Sequence, residues 1–343
     1  MNAHLQPSGS AYFLAAETRK PERQTVARVI GLVLAAMLGA ASAVSAGELI
    51  PAIGTDVWLV APEGFEPVVA PAEGFALNNE AGGVVIVSQA MARGPVQFDL
   101  DELAADPAKL EQMGVMFANG KAEIISAGAN RFLLIGGDIP AGAGASGNVW
   151  LATAGEEPVV TFTFAQIDLG DAPALDRAVI EQVLASVVVS PSGETDAGIN
   201  LGGLSLPAIA PFSFKELTDF GFARLRTSAD STAKGLPRVT LFFAQPDKEL
   251  LTLDQIANKW LGAGDDASLV ASAEVELVGV PALRQEWTAK VGDTQSKSVG
   301  YVAVVGGQRL VLALDGAPDR ITAEIISKFD QIAGALAPGE KPE

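Results

Sequence analysis

The sequence predicts an α+β fold of two tandem, similar domains, each an antiparallel sheet flanked by helices in an α/β sandwich. Three observations lead there. Short segments recur in the same order in both halves, at offsets between 145 and 153 residues. Runs rich in Val, Ile, Phe and Thr are separated by short turns, which favours antiparallel pairing. Each half also carries a helix-opening pattern, Asp99-x-x-Glu102 and Thr252-x-x-Gln255.

The recurrences are physical as well as literal. Gly74-Phe75-Ala76 matches Gly221-Phe222-Ala223, and Leu100-Asp101-Glu102-Leu103-Ala104 matches Leu253-Asp254-Gln255-Ile256-Ala257. Ala122-Glu123-Ile124 with Gly128 matches Ala273-Glu274-Val275 with Gly279, and Ala172-Pro173 matches Ala317-Pro318. Each match is short; their common order and spacing carry the inference. In the capping pattern, the first side chain accepts from a free amide of the first turn, and the residue three positions on bonds back. That gives Asp99 and Glu102 a structural role in place of a catalytic or metal-binding one.

Residues 1–46 read as a secretory signal. Arg19, Lys20, Arg23 and Arg28 precede an uncharged apolar run, Val29 to Ala46. The run ends in two small-residue cleavage sites, Ala41-Ser42-Ala43 and Val44-Ser45-Ala46. Its second half is dominated by Ala, Gly and Ser, so cleavage is expected in preference to a retained anchor, with no stable membrane span afterwards. The implied location is the periplasm or the outside of the cell. No cysteine is present to carry a lipid or a disulfide, and His4, the single histidine, lies in the segment to be removed.

The first domain is placed at residues 51–190. Its strands are expected at Asp56–Val60, Phe75–Asn78, Val84–Gln89, Glu123–Ser126, Arg131–Asp138, Asn148–Thr153 and Val159–Ile167. Helices are expected from about Leu100 to Phe117 and from Ala174 to Ser186. Pro191, Ser192, Gly193 and Gly198 mark residues 191–203 as a linker. The second domain, 204–337, repeats the series. Its strands are expected near Gly203–Leu206, Phe222–Arg226, Arg238–Ala244, Glu274–Val278, Ala282–Val291, Ser298–Val305 and Leu310–Leu314, with helices at Leu253–Leu261 and Arg320–Leu336. Val302 to Leu314 is the clearest hairpin, two β-rich runs around Gly306-Gly307. Residues 338–343 are expected to form a disordered tail.

Composition limits the function. From Gly47 onward there are 19 basic and 39 acidic residues, a balance of −20. Such a surface repels phosphate backbones and argues against nucleic-acid binding, while it suits a basic partner. Without imidazole or thiol, the remaining part of the chain lacks the two most versatile catalytic and metal-binding groups.

With Pro62-Glu63-Gly64-Phe65 at an early strand end, the order of strands, capped helix, four strands and closing helix resembles the PsbP-type photosystem extrinsic proteins and the DcrB-like bacterial envelope proteins. The likeness would cover residues 51–190 and 200–337 separately. The second half departs from it, with Ala210-Pro211-Phe212 in place of that strand end. The resemblance implies an assembly or accessory role without catalysis. It transfers no site residue.

Motifs of other chemistries fail on context. Gly142-x-Gly144-x-x-Gly147, with Asp168 downstream, matches a dinucleotide fingerprint, but Val149-Trp150-Leu151 follows as a strand where a helix is required. Ser296-Lys297-Ser298 holds the residue types of a Ser–Lys dyad, yet neighbours on a strand point to opposite faces. Asp265-Asp266 and Glu156-Glu157 read as solvated turns, without the alternating ligands of a calcium loop. Trp58, Trp150, Trp260 and Trp287 read as core residues. No catalytic, cofactor-binding or metal-binding residue is assigned, and no cofactor is expected. The reading is an exported, non-catalytic binding or scaffolding protein with a cell-envelope protein as partner, the groove between the domains being the expected binding place. A carboxylate-dependent, glycan-directed hydrolase and a periplasmic carrier of small ligands are the alternatives.

Overall fold

The computed structural model describes residues 47–69, 74–89, 99–106, 118–140, 146–154, 159–167, 175–218, 221–230, 235–244, 251–291 and 293–342. The signal segment 1–46 lies outside them, as do the glycines at 142 and 144, Asp168, Glu156-Glu157 and residues 107–117 of the expected first helix.

Two seven-stranded antiparallel sheets dominate. The first contains β3 (Glu66–Val68), β4 (Phe75–Asn78), β5 (Gly83–Gln89), β6 (Ala118–Ala127), β7 (Asn130–Pro140), β8 (Ser146–Ala154) and β9 (Val160–Ile167). The second contains β14 (Phe214–Leu217), β15 (Ala223–Arg226), β16 (Arg238–Ala244), β17 (Asp265–Leu277), β18 (Val280–Val291), β19 (Thr294–Val305) and β20 (Gln308–Gly316). Their orders are β3-β4-β5-β9-β8-β7-β6 and β14-β15-β16-β20-β19-β18-β17, the same path in each half.

Two small sheets complete the parallel. One joins β1 (Leu49–Pro51), β2 (Val57–Val60) and β10 (Val188–Val189). The other joins β11 (Gly193–Glu194), β12 (Gly198–Leu201), β13 (Leu204–Pro207) and β21 (Ala337–Pro338). The described residues hold four helices: α1 (Leu100–Ala105), α2 (Arg177–Ala185), α3 (Leu253–Trp260) and α4 (Ala323–Ala335). The architecture is therefore dominated by sheets, where an evenly helix-flanked sandwich was expected.

Two stretches expected to be irregular are paired. Residues 191–203 form β11 and β12, because Ile199 and Leu201 are wholly or almost wholly buried and draw the backbone into a ladder. At the expected tail, Pro338 pairs with Leu204, next to the Ala337–Ser205 pair that ends the second domain, and the Gly339 amide donates to Gly203 O at 2.8 Å.

Alternation along the strands decides which face is covered by what. In the first sheet, Phe75, Leu77, Phe132, Leu134, Phe162 and Phe164 pack against Ile180, Val183 and Leu184 of α2 and Leu59 of β2. Phe132 meets Phe162 edge-on at 5.9 Å. Leu133 and Ile135 point the other way, towards Leu100 and Leu103 of α1. The second sheet repeats the division. Leu225, Leu241, Val299, Leu312 and Leu314 face Phe329, Ile332 and Ala333 of α4. Phe242, Leu283, Trp287, Val302 and Val311 face Ile256, Ala257 and Leu261 of α3.

The helix starts follow the capping chemistry. Asp99 Oδ1 accepts from the amides of Asp101 and Glu102 at 3.0 and 3.1 Å. At α3 both arms of the box close: Thr252 Oγ1 accepts from Gln255 N at 3.3 Å, and Gln255 Oε1 accepts from Thr252 N at 2.8 Å.

One core runs through both halves, joining Ile53, Phe75 and Phe164 to Ile199, Leu204, Phe212 and Leu310. Where the halves meet, at the place expected to be a groove, the described residues pack closely. The Gly306-Gly307 turn has φ of 53° and 78°, a mirror-image turn that suits glycine. Its tip presses on Ile53 and Phe75, and a Cβ at Gly307 would overlap Val68 O. Gln308 Nε2 donates to Gly74 O, and Gly54 N donates to Gly202 O at 2.9 Å. Asp56 anchors the crossing. Its carboxylate accepts from Gln89 Nε2 at 3.0 Å and from Ser192 Oγ, and its carbonyl accepts from Ser190 N at 2.7 Å.

Gly307→Ala is expected to lower stability by about 2 kcal/mol or more, since both φ and the Val68 contact oppose a side chain. Gly334→Ala, in α4 with open space around it, is expected to be neutral or to stabilise by about 0.5 kcal/mol. Denaturant midpoints measure both. Equal midpoints for wild type and Gly307→Ala would contradict the packed junction.

Candidate binding surface

The two sheets occupy the same plan but treat their corresponding outer edges differently. In the first sheet, α1 and α2 both lie against the edge strand β6. Arg177 of α2 pairs with Glu123 of β6 and, within its own helix, with Glu181 at 2.6 Å. Arg131 of β7 reaches Asp101 of α1 at 3.0 Å.

In the second sheet the helices are tied one strand further in. Arg284 of β18 grips Asp330 of α4 through Nε and Nη2 at 3.2 and 3.3 Å. Gln285, also of β18, donates to Asp254 of α3 at 3.1 Å. Counting back from the hairpin turn, Ala273 of β17 stands where Glu123 stands in β6, one place before Glu274, the residue that the recurrent segments match to Glu123. The hairpin position of Glu123 thus carries no carboxylate in β17, and Glu274 is exposed and makes no ion pair with a helix among the described residues.

β17 is consequently bare. Among the described residues it pairs only with β18. Its residues from Ser268 to Glu274 are exposed without a break, so both faces of the strand meet solvent. Leu269 and Val270 are 48% and 58% exposed. The register shifts between Asp265 and Ser268 and again between Leu269 and Ala271, which twists the strand. Ser268 to Ala273 carries no charge, whereas Asp265, Asp266, Glu274 and Glu276 flank it on both sides. Bulges and charges are the usual protections of a free edge, and here the charges stop short of the middle.

Behind the edge lies a polar network. Tyr301 of β19 donates to Asp330 Oδ1 at 2.8 Å, and Arg284 also reaches Glu286 Oε1 at 3.1 Å. Lys297 closes on Glu286 Oε2 at 3.4 Å. The two acids that converge here thus hold Arg284 between them. Burial, with the hydrogen bond to Asp330, pushes the Tyr301 hydroxyl up to about 12. Burial opposes the charge of Arg284, but its bonds to Asp330 and Glu286 outweigh that and raise it further above its ordinary range. On the opposite face, Trp287 Nε1 donates to Gln285 Oε1 at 2.9 Å, and Gln285 Nε2 reaches Ser272 Oγ of β17 at 3.3 Å. The edge strand is thereby held by its neighbour's side chains as well as its backbone.

A third cluster sits on β15 and β16. Arg238 bonds Asp315 at 2.6 Å and Arg226 approaches Glu216 at 3.4 Å. Arg224 lies over the Phe222 ring at 5.8 Å, and burial followed by the neighbouring Arg238 charge lowers its pKa. The Arg238–Asp315 and Arg226–Glu216 pairs are partly exposed and of modest worth.

The residues weighed from sequence fall as follows. Asp265-Asp266 opens β17 instead of lying in a turn, because the Gln295–Val291 side of the sheet continues far enough to pair Asp265 with Lys290. Lys297 pairs with Glu286 while Ser298 sits opposite Trp287, so no Ser–Lys dyad forms. Gly147 lies in β8, a strand. Trp58 and Trp287 are buried, and Trp150 and Trp260 pack partly buried against the cores. Sequence reasoning missed the Arg284–Tyr301–Asp330 group. Its signal was present: Arg284 and Glu286 alternate with apolar residues in an expected strand.

No family model and no curated protein matches the chain. Solved structures resemble it distantly. The cyanobacterial PsbP of Synechocystis sp. PCC 6803 matches with 14% identity over 42% of this chain and 98% of its own, at a TM-score of 0.26. The immunity protein TplEi of the type VI secretion system of Pseudomonas aeruginosa, complexed with a peptide, matches with 11% identity over 86% and 99%, at 0.31. A Pseudomonas aeruginosa protein of unknown function matches with 9% identity over 44% and 98%, at 0.29.

Tyr12 and Tyr301 are the two tyrosines of the sequence. Because the folded state holds the Tyr301 proton to about pH 12 against an ordinary value of 10.0, its stabilising effect is complete below pH 10. It is lost as pH rises from 10 through 12. Tyr301→Phe should remove that part of the alkaline decline and lower stability at pH 8 by about 1–2 kcal/mol. Urea titrations at several pH values measure both. Parallel pH profiles for the two proteins would show the hydroxyl to be uncoupled from folding.

Proposed function

We propose that this chain is an exported, non-catalytic binding protein of the cell envelope, built by duplication of one sheet unit and working by contact with another envelope protein. The bare edge strand β17 is the observation that carries this reading. An edge exposed on both faces with Leu269 and Val270 outward is a hazard that selection blunts unless the edge is used. Its counterpart β6 is flanked by two helices, so covering the edge was open to the same plan. The apolar run Val29 to Ala46 supports export to the periplasm or beyond. The shared strand order of the two sheets and the recurrent segments support duplication and a division into two similar units about the 191–203 segment. No helix among the described residues is long and apolar enough to cross a membrane.

Two measurements test this. N-terminal sequencing of the protein from the envelope fraction should give a chain starting at Val44 or Gly47; a start before Val29 contradicts the export reading. A photo-crosslinking residue at position 270 should form adducts with an envelope protein in living cells. The same residue at exposed position 102, on the first half, should not. Absence of adducts at 270, or equal adducts at both, contradicts a contact role for this edge.

A further inference from the structure

Resting on that binding role, we infer that β17 accepts an extended segment of its partner as an additional antiparallel or parallel strand, and that this segment is uncharged in the middle and basic at both ends. The geometry points to strand addition in preference to docking on a face. Ser268 to Ala273 presents backbone on its open side over at most roughly 20 Å, at about 3.3 Å per residue, with the register shift at Val270 inside it and an unbroken ladder from Ala271 onward. Backbone hydrogen bonds from such an edge supply affinity, and side chains on either face supply selectivity.

The chemistry of the occupant follows from the residues along the edge. At one end stand Asp265 and Asp266; at the other stand Glu274 and Glu276, all exposed. Beside Asp265 the ladder offers Lys290, but no ion pair joins them among the described residues, and Glu274 and Glu276 face Leu283 and Pro281. Three of these four carboxylates therefore have no cation opposite them in the ladder, and a strand on the open side can supply one. The middle offers Leu269 and Val270, which favour β-branched or small apolar residues opposite them. A second copy of β17 is the wrong occupant. In an antiparallel self-pair the acidic ends would meet each other, and in a parallel pair each acid would meet its own kind. The overall balance of −20 from Gly47 onward adds to that repulsion.

The anchoring behind the strand fits the role. Gln285 bonds Ser272 on one face, and the Arg284–Glu286 pair lies beneath Ala271 and Ala273 on the other. The edge is thus held in an extended form before a partner arrives, which reduces the ordering cost of association.

The test uses the chain purified from Gly47 onward and fluorescent peptides of alternating Val and Thr, flanked by two Lys or by two Glu at each end. Fluorescence anisotropy should show the Lys-flanked peptide binding at least tenfold more tightly than the Glu-flanked one. Raising salt from 0.05 to 0.5 M should weaken it several-fold, since the Debye length falls from more than 10 Å to less than 5 Å. Hydrogen exchange should show new protection at those amides between Ala267 and Ala273 that face away from β18, and nowhere else. Val270→Lys, an exposed change expected to leave the melting temperature within a degree or two, should weaken the Lys-flanked peptide at least tenfold. Equal binding of the two peptides, or protection outside β17, overturns the inference. Self-association abolished by Val270→Lys overturns it too, assigning the edge to a second copy. Crosslinks from position 270 without peptide binding would leave the contact role standing and remove strand addition alone.

Discussion

The packed junction of the two halves is the constraint on which the rest of this structure depends. Neither sheet closes its own inner face with helices alone, because α2 and α4 are short relative to seven strands. The small sheets and the turns between strands complete the cover, and each half contributes to the other's. Gly306-Gly307 can approach Ile53, Phe75 and Val68 only because no side chain intervenes. Gly202-Gly203 reaches Gly54 and Pro51 for the same reason. Close approach of bare backbone lets apolar residues of both halves join in one core, and buried apolar area, at about 25 cal/mol per Å², has to supply the stability of a chain without cysteine.

From that junction follows the position of the free edge. With β3 and β14 at one end of their sheets and β6 and β17 at the other, the two outer edges are equivalent by topology. They differ by anchoring. Glu123 draws Arg177 of α2 to β6, while Arg284 draws Asp330 of α4 to β18. One strand's shift in the anchoring residue uncovers the edge. The polar groups behind it are satisfied: Tyr301, Arg284, Glu286, Lys297 and Asp330 pair among themselves. A network so fully paired fixes the geometry behind the edge.

Much of this plan was legible in the residues. Arg238–Ala244 and Phe75–Asn78 were read at their observed limits, because β-branched and aromatic residues there alternate between two buried faces. Gly306-Gly307 announced its hairpin, and Thr252-x-x-Gln255 announced its helix. The failures share a cause. Asp265 to Ala273 has no alternation to read, since both its faces are wet; only its pairing with β18 makes it a strand. Residues 191–203 look like a linker by composition, and Ile199 and Leu201 become core only because a second sheet waits for them. The open edge therefore escaped the sequence for the very reason that singles it out in the structure: exposure erases the pattern that burial writes.

Native-state hydrogen exchange of the unliganded protein addresses the central claim most directly, that one shared core holds a rigid body with an open strand at its margin. Amides of β9 and β20, in opposite halves, should exchange with the same opening free energy, through global unfolding. Amides between Ser268 and Ala273 that face away from β18 should exchange orders of magnitude faster than their neighbours bonded to β18. Separate opening energies for the two halves, or uniform protection along β17, would contradict the account.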